Sequence, residues 1–241
     1  MPVVTLDGPT GGGGRLLGPH VARRLDADYV DRLVLTEAAR HLGATVEALH
    51  QREENLPSRA ERFSGMLQRV MERSVSTGMG SDPYFGTGGM AFLTEEFDDL
   101  PQPAITKGHE LEDDVYVEAI SKVIVSLADR GNVVMVGRGS SIILSDRPDV
   151  LRVGLVAGLD DMVTRVMKTA NLTRDQAEKV VSGRDDARAH YFKRYFGLDH
   201  PDALETDHLV INTSAVDMEY ATNLIVDAYK ALAEGRLSSL S

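Results

Sequence analysis

The chain has 241 residues, of which 42% are hydrophobic, and this length is typical of one sizeable globular domain. A formal net charge of -11 argues against general binding to nucleic acid or to anionic membranes, since both recruit proteins through clustered Lys and Arg. The sequence contains no cysteine, which excludes disulfides, thiolate catalysis and thiolate metal sites.

The amino-terminal residues predict a strand, a glycine-rich loop and a helix in succession. Residues 3–6 form a short apolar and β-branched run, and a glycine-rich stretch follows at 8–14. The next apolar residues recur at helical spacing, and we expect Pro19 in the first turn of that helix because proline disrupts a helix interior. Residues 28–31 then predict a short strand or turn.

The pattern changes in the region 43–115. A helix is predicted at 59–74, but residues 76–90 are rich in Gly and Ser and show no period. The acidic residues within 95–100 indicate a solvated surface. We therefore expect a single domain over 1–241, with a helical and loop-rich insertion at 43–115 that forms the acceptor side of a binding site.

Strands and helices alternate along the rest of the chain. Continuous apolar runs at 133–136, 151–157 and 208–214 predict buried strands, and amphipathic segments around them predict helices. This alternation predicts an α/β fold, with a parallel sheet of five strands that is covered by helices on both faces. Ligands bind beyond the carboxyl ends of such strands, where Asp7 and residues 137–139 are located.

The stretch GPTGGGGR at residues 8–15 indicates a phosphate-binding loop. Glycines let consecutive backbone N–H groups turn toward one centre, and the positive end of the following helix strengthens their effect. A loop of the form GxxxxGK[ST] would place a lysine at position 14, but Gly14 stands there and Arg15 is the nearest cation. The alternative is a flexible connection that binds nothing.

The segment 184–194 concentrates four cations in an acidic protein. Arg184 and Arg188 are four residues apart on a predicted helix, so they share a face, which their repulsion disfavours unless an anion is bound. A salt-bridged surface helix is the alternative. The aromatic residues at 191, 192, 195 and 196 have a spacing that suits a base-binding cluster or a core stripe, and we favour the core stripe.

Several of these motifs resemble the cytidylate kinase-like family. Residues 6–15 resemble its glycine- and serine-rich loop, which often lacks the lysine, and YVDR at 29–32 resembles its YYDRE landmark. Further similar segments are GRGSSIIL at 137–144, DDARAHYFK at 185–193 and DHLVINTS at 207–214, which match GRGxxxIL, DxxRAxYY and YDLVINTS. Their order and spacing agree along nearly the whole chain, least well at 43–110.

The resemblance implies a P-loop kinase that transfers a phosphoryl group from ATP, with Mg²⁺, to CMP or dCMP. The donor would contact the glycine loop, that is Gly8, Thr10, Gly11, Gly12, Gly13, Gly14 and Arg15. The acceptor would contact Asp31, Arg32, Arg138, Asp185 and Arg188. Charge neutralisation during transfer would come from Arg15, Arg184 and Arg188. The hydroxyl that usually follows the lysine is absent, so Mg²⁺ is expected on phosphate oxygens, water, Thr10 or Asp7.

Three other functions stay open. A non-catalytic nucleotide sensor would keep the loop and lose the lysine, and a kinase for another small acceptor would differ in the 43–115 insertion. A protein-interaction subunit would use residues 95–100 and bind no nucleotide. We expect small-molecule nucleotides as partners, without nucleic acid or membrane, and a homodimer is one option for the oligomeric state. No apolar run reaches the ~20 residues of a membrane span and no signal peptide is evident, so we expect a cytoplasmic protein.

Overall fold

The structure is a computed structural model, and it describes residues 1–32, 34–35, 107–201 and 204–237. Within these residues the strands are β1 (Val3–Asp7), β2 (Asp28–Val30), β3 (Val133–Val136), β4 (Leu151–Val156) and β5 (Leu209–Asn212). The α-helices are α1 (Gly14–Leu25), α2 (Lys107–Arg130), α3 (Ser140–Ile143), α4 (Leu159–Ala170), α5 (Arg174–Phe196) and α6 (Met218–Ala233), with a 3₁₀ turn at Leu204–Thr206.

The strands form one parallel sheet in the order β2-β3-β1-β4-β5. β1 is central, and its Leu6 is in register with Val136 of β3 and Val153 of β4. Because all the strands run in the same direction, the residues that follow them emerge at one edge of the sheet, where ligands bind in folds of this type. The five-stranded parallel α/β sheet predicted from the sequence is confirmed.

Helices cover both faces of the sheet, which explains why β3 and most of β1 are apolar. On one face, Val3 packs with Ile124 and other buried residues of α2. On the other face, Leu6 packs with Val21 of α1 and Ile225 of α6. A third apolar cluster joins α4 to the first half of α5. The carboxyl edge of the sheet is therefore supported by packed layers on both sides.

The helix ends follow from local capping residues. α2 ends at Arg130, before Gly131 with φ 70°, and α5 ends before Gly197 with φ 69°. Glycine suits these ends because it adopts left-handed conformations without a Cβ penalty. α5 begins after Thr173 with a capping box: the side chain of Thr173 accepts from the backbone N–H of Gln176, and the side chain of Gln176 accepts from the backbone N–H of Thr173. The positions of these ends agree with the helices predicted from the sequence.

The position predicted for Pro19 is wrong. α1 begins at Gly14, so Pro19 lies inside the helix instead of in its first turn. The glycine loop sets the start of the helix, because Gly13 adopts a left-handed conformation (φ 103°) immediately before it. The helix tolerates the loss of one internal N–H, the one that would bond to the carbonyl of Arg15.

The insertion predicted at 43–115 lies outside the described residues, except that α2 already begins at Lys107. The helix predicted at 59–74, the Gly- and Ser-rich stretch at 76–90 and the acidic stretch at 95–100 lie outside them as well. Within the described ranges, no helix has the length and apolar character required to cross a membrane.

Candidate functional site

The glycine loop lies at the carboxyl edge of the sheet, between the end of β1 and the start of α1. Gly11 (φ 80°) and Gly13 (φ 103°) adopt left-handed conformations, which side chains disfavour. The carbonyl of Gly13 accepts hydrogen bonds from the N–H groups of Leu16 (3.0 Å) and Leu17 (2.9 Å), so α1 starts directly at the loop. The first N–H groups of a helix have no acceptor within it and carry its partial positive charge.

The loop is packed tightly against β4 and α4. A Cβ atom at Gly8 would lie 2.6 Å from the carbonyl oxygen of Leu155, and one at Gly11 would lie 2.7 Å from that of Met162. Both distances are too short for a side chain, so glycine is required here by close packing as well as by conformation. Thr10, in the same loop, is only 7% exposed. A flexible connection would impose no such requirement.

Gly14 stands where a P-loop has its lysine. Its backbone is helical, and a Cβ atom added to it would lie 3.1 Å from Cγ1 of Val136 and 3.5 Å from Cδ1 of Leu155. A side chain at this position would therefore start between two apolar residues, and Val136 would have to move by a few tenths of an ångström. The backbone itself admits a side chain.

Arg165, for which the sequence predicted no role, contacts the glycine loop from α4. Its Nη1 donates to the carbonyl oxygen of Gly11 (2.9 Å) and to Oγ1 of Thr213 (2.8 Å), and its Nη2 donates to the carbonyl oxygen of Thr213 (2.7 Å). Oγ1 of Thr213 in turn donates to the carbonyl oxygen of Gly12 (2.8 Å). Arg165 lies beside the buried stripe of α4 and is itself half-buried, and no sequence pattern indicated this contact with the loop.

Arg15 points towards the end of β2. Its Nη2 lies 3.6 Å from Oδ2 of Asp31, and Oδ1 of Asp31 accepts a hydrogen bond from the N–H group of Val34 (3.1 Å). Arg32 lies beside the turn after β3, because a Cβ atom at Gly137 would be 3.6 Å from Cβ of Arg32. Arg15 therefore points towards the residues predicted to contact the acceptor.

The turn after β3 contains an arginine in a strained conformation. Gly137 (φ 80°), Arg138 (φ 59°) and Gly139 (φ 70°) are consecutive left-handed residues, and the N–H group of Ser140 donates to the carbonyl of Gly137 (3.2 Å). This is the pattern of a type I′ turn. A left-handed conformation costs an L-residue about 1–2 kcal/mol. Since the side chain of Arg138 is only 9% exposed, a buried cation is held here at the cost of backbone strain, which is typical of functional positions.

Asp7, the last residue of β1, is hydrogen-bonded to α3. Its Oδ2 accepts a hydrogen bond from the N–H group of Ser141 (3.1 Å), and the hydroxyls of Thr5 and Ser141 lie 2.9 Å apart. The part of the chain that the structure describes contains no group of three or more His, Asp or Glu residues that could hold a metal ion. A metal at this edge would therefore depend on ligand oxygens and water, with Asp7 as a neighbouring carboxylate.

α5 turns one of its predicted arginines inward. Arg184 is only 6% exposed and lies on the same helical stripe as the buried residues Ala177, Val181 and Tyr191. A solvated surface helix would leave this arginine exposed. Burying a charged group in an apolar stripe costs free energy that pairing or hydrogen bonding must offset.

Arg188 lines a cleft between α5 and the carboxyl edge of the sheet. Its Nη2 donates to the carbonyl oxygen of Pro201 (3.2 Å), and its guanidinium carbon lies 5.0 Å from the ring centroid of Phe192. Asp7 lines the same cleft, so the fold brings Arg188 to the end of β1. Asp185 is half-buried on the same helix but is not among the residues that line this cleft.

The aromatic side chains at the end of α5 pack on one another. The ring centroid of Tyr191 lies 5.7 Å from that of Phe192, 5.0 Å from that of Tyr195 and 5.8 Å from that of Phe196. Phe196 also covers Gly139, where an added Cβ atom would lie 2.7 Å from the ring. These contacts support the core interpretation, and they dock α5 onto the turn after β3.

Comparisons with known proteins identify the family and a similar fold. The family model described as cytidylate kinase-like matches residues 3–215. No curated protein matches the sequence. Among solved structures, an uncharacterized protein from Eubacterium ventriosum ATCC 27560 is similar in fold, with a TM-score of 0.57 and 15% identity over 96% of this chain and 99% of that one. Shikimate kinases from Bacteroides thetaiotaomicron and Acinetobacter baumannii have TM-scores of 0.44 and 0.45 at 14% and 15% identity, over 97% and 99% of this chain and 98% and 96% of theirs.

Proposed function

The chain belongs to the cytidylate kinase-like family, and on this premise we propose that it transfers a phosphoryl group from ATP to a nucleoside monophosphate, CMP or dCMP. The family supports a phosphotransferase of the P-loop kinase type. One observation carries the proposal further. The glycine loop at the end of β1 lies at the same edge of the sheet as the buried Arg138 and the half-buried Arg188, which lines the cleft there. Backbone donors and side-chain cations at one edge suit a ligand with several phosphates.

The donor phosphates would bind at the glycine loop. Its glycines and the start of α1 supply backbone N–H donors and the positive end of a helix dipole, which together favour phosphate oxygens. Because Gly14 has no side chain, the charge that a P-loop lysine would bring must come from elsewhere. Arg15 is the cation of the loop itself, and it also pairs with Asp31.

The acceptor would bind beside the turn after β3. Arg138 would hold its phosphate, with Asp31 and Arg32 next to it and Asp185 in contact with the remainder of the nucleotide. Arg184 and Arg188 would stabilise the negative charge on the phosphoryl group in the transition state. The acceptor phosphate oxygen is itself the nucleophile, so catalysis requires positioning and charge stabilisation and no side-chain nucleophile.

At the end of β1 and in the loop, the described residues offer Mg²⁺ one carboxylate, Asp7, and one hydroxyl, Thr10, as ligands. Mg²⁺ usually keeps several waters and is bound through one or two carboxylates together with substrate phosphates, so a cage of protein ligands is not required. Asp7 is the carboxylate at the end of β1, and Thr10 is a hydroxyl in the loop. An ion held there would supply positive charge that offsets the negative charge of the donor phosphates.

A thermal-shift panel with ATP, CMP, dCMP and other nucleotides, with and without Mg²⁺, tests the binding part of this proposal. A ligand at 100 times its Kd stabilises the folded state by about 2.7 kcal/mol, which raises the Tm of a chain of this size by roughly 5–10 °C. ATP consumption with CMP or dCMP, compared with ATP alone and with AMP, GMP and UMP, tests transfer. The absence of a shift with every nucleotide would contradict the proposal.

Gly14 also favours a second function, that of a nucleotide sensor without appreciable turnover. Lysine follows the transferring phosphoryl group in P-loop kinases, and glycine cannot replace that interaction. A sensor would show the ATP-dependent Tm shift but consume no ATP when CMP or dCMP is added. The two assays described for the kinase therefore separate the two functions.

A further inference from the structure

We propose that Arg165 and Thr213 form a clasp that orients the glycine loop for the donor phosphates and supplies, from behind the loop, positive charge that Gly14 cannot provide. The clasp consists of these two side chains and the carbonyl oxygens of Gly11 and Gly12, which they bind. The inference rests on the proposed function, because it assigns the clasp to the binding of ATP.

The clasp acts through the geometry of the peptide bond. In a trans peptide the C=O and N–H groups point in opposite directions, and the described residues contain no cis bond. Thr213 holds the carbonyl of Gly12 at 2.8 Å, so the N–H group of Gly13 points the opposite way, away from β5. Arg165 holds the carbonyl of Gly11 at 2.9 Å, and the N–H group of Gly12 turns to the carbonyl of Pro9 (2.9 Å).

These bonds are needed because the loop has little conformational preference of its own. Glycine populates positive and negative φ about equally, and a run of four glycines at 11–14 samples many orientations of its peptide planes. Binding of a phosphate would have to select one of these orientations, and the conformational entropy lost in doing so would reduce the affinity. Fixing two adjacent planes in advance removes that cost.

The clasp also carries charge. Arginine stays protonated at any physiological pH, and the three hydrogen bonds of Arg165 all go to uncharged oxygens, so none of them neutralises it. Arg15, by contrast, has the carboxylate of Asp31 within 3.6 Å. Arg165 therefore raises the positive potential of the loop from its carbonyl side, although its side chain does not reach over the loop as a lysine would.

Thr213 is itself held firmly in place. Its N–H group donates to the carbonyl of Val156 (2.9 Å), and its methyl group lies 3.2 Å from the position of a Cβ atom at Gly13. The next residue, Ser214, accepts a hydrogen bond from the N–H group of Gly158 (2.8 Å). The end of β5 is thus bound to the start of α4 and to the glycine loop, which gives the clasp a rigid base.

Isothermal titration of the full chain with MgATP tests the clasp. Arg165→Met removes the positive charge and the guanidinium hydrogen-bond donors. We therefore expect a Kd for MgATP at least about tenfold higher than that of wild type. Arg165→Lys keeps the charge and should recover part of that loss. Thr213→Val keeps the shape but removes the hydroxyl, and about tenfold weaker binding is expected, whereas Thr213→Ser should stay within about threefold. Arg174→Met is the matched control, because Arg174 pairs with Asp160 and Glu178 at the surface.

The apo Tm of each variant separates orientation from simple stabilisation. A residue that only stabilises the fold would lower the Tm of the apo protein and leave the ATP Kd of the folded protein unchanged. Wild-type affinity in both Arg165→Met and Thr213→Val would overturn the inference while the proposed function stands. If wild-type protein binds no ATP, the proposed function fails and the inference fails with it. Should Arg165→Met not fold, the comparison of Thr213→Val with Thr213→Ser decides.

Discussion

Arg138 allows the backbone and the side chain of one residue to be tested separately. The turn after β3 places it at φ 59°, and its side chain is only 9% exposed. Arg138→Ala and Arg138→Gly remove the same side-chain contacts, so the difference between them reports the backbone alone. Both variants should raise the KM for the acceptor, because both lose the cation predicted to hold its phosphate.

The difference in stability follows from two opposing terms. Glycine relieves the strain of a left-handed L-residue, about 1–2 kcal/mol. It also loses more conformational entropy on folding than alanine, by roughly 0.5–1 kcal/mol. We therefore expect Arg138→Gly to be more stable than Arg138→Ala by about 0.5–1 kcal/mol, or roughly 1–4 °C in Tm for a chain of this length.

Urea denaturation of the two variants in parallel measures this difference, and two neighbouring glycines serve as controls. Among the described residues, Gly137→Ala meets only Cβ of Arg32, at 3.6 Å, so it adds strain without a clash there. Gly139→Ala would bring its Cβ within 2.7 Å of the ring of Phe196 and should cost about 1–3 kcal/mol more. If Arg138→Ala proved as stable as Arg138→Gly, the turn would not be strained and the functional interpretation of Arg138 would lose its physical basis.

Two further predictions concern the site, and a third concerns the stability of the fold. Arg188→Ala should lower kcat more than it raises KM for the acceptor, as expected for a contact that strengthens in the transition state, and steady-state kinetics with CMP check it. Because Arg15 points towards Asp31, Arg15→Ala should lower kcat/KM by less than the about 2–4 kcal/mol that a donor preorganised over the transferring group contributes, whereas Gly14→Lys, compared with Gly14→Ala to correct for packing, should preserve or raise turnover in the same assay. Burial, and then Arg152, lower the pKa of His208, whose Nδ1 accepts the N–H of Arg152 (3.1 Å). As the pH falls, His208 therefore binds a proton in the unfolded chain before it does so in the folded one. The free energy of unfolding should keep its full value above the ordinary histidine pKa, about 6.5, and decrease as the pH falls below it. His208→Gln should make that decrease smaller in urea titrations between about pH 5 and 7.

Local sequence determined the framework of this protein. The apolar run at 3–6, the glycines after it and the helical spacing beyond them are features of neighbouring residues, and they were sufficient for the prediction of β1, the loop and α1. The buried strands at 133–136 and 151–157 were equally visible, because strands covered on both faces lose their polar alternation. Since parallel strands end at one edge, the placement of Arg138 at that edge also followed from the sequence.

Tertiary structure decided which side chains meet there, because each contact joins residues that are distant in the chain. Gly11 and Arg165 are 154 residues apart, and nothing around either residue indicates that α4 would pack against the glycine loop. Arg15 turned towards Asp31 only because the packing of the sheet brings the end of β2 within reach of the start of α1. A side chain at a helix start has several rotamers of similar energy, and the choice among them depends on neighbours that only the assembled fold supplies.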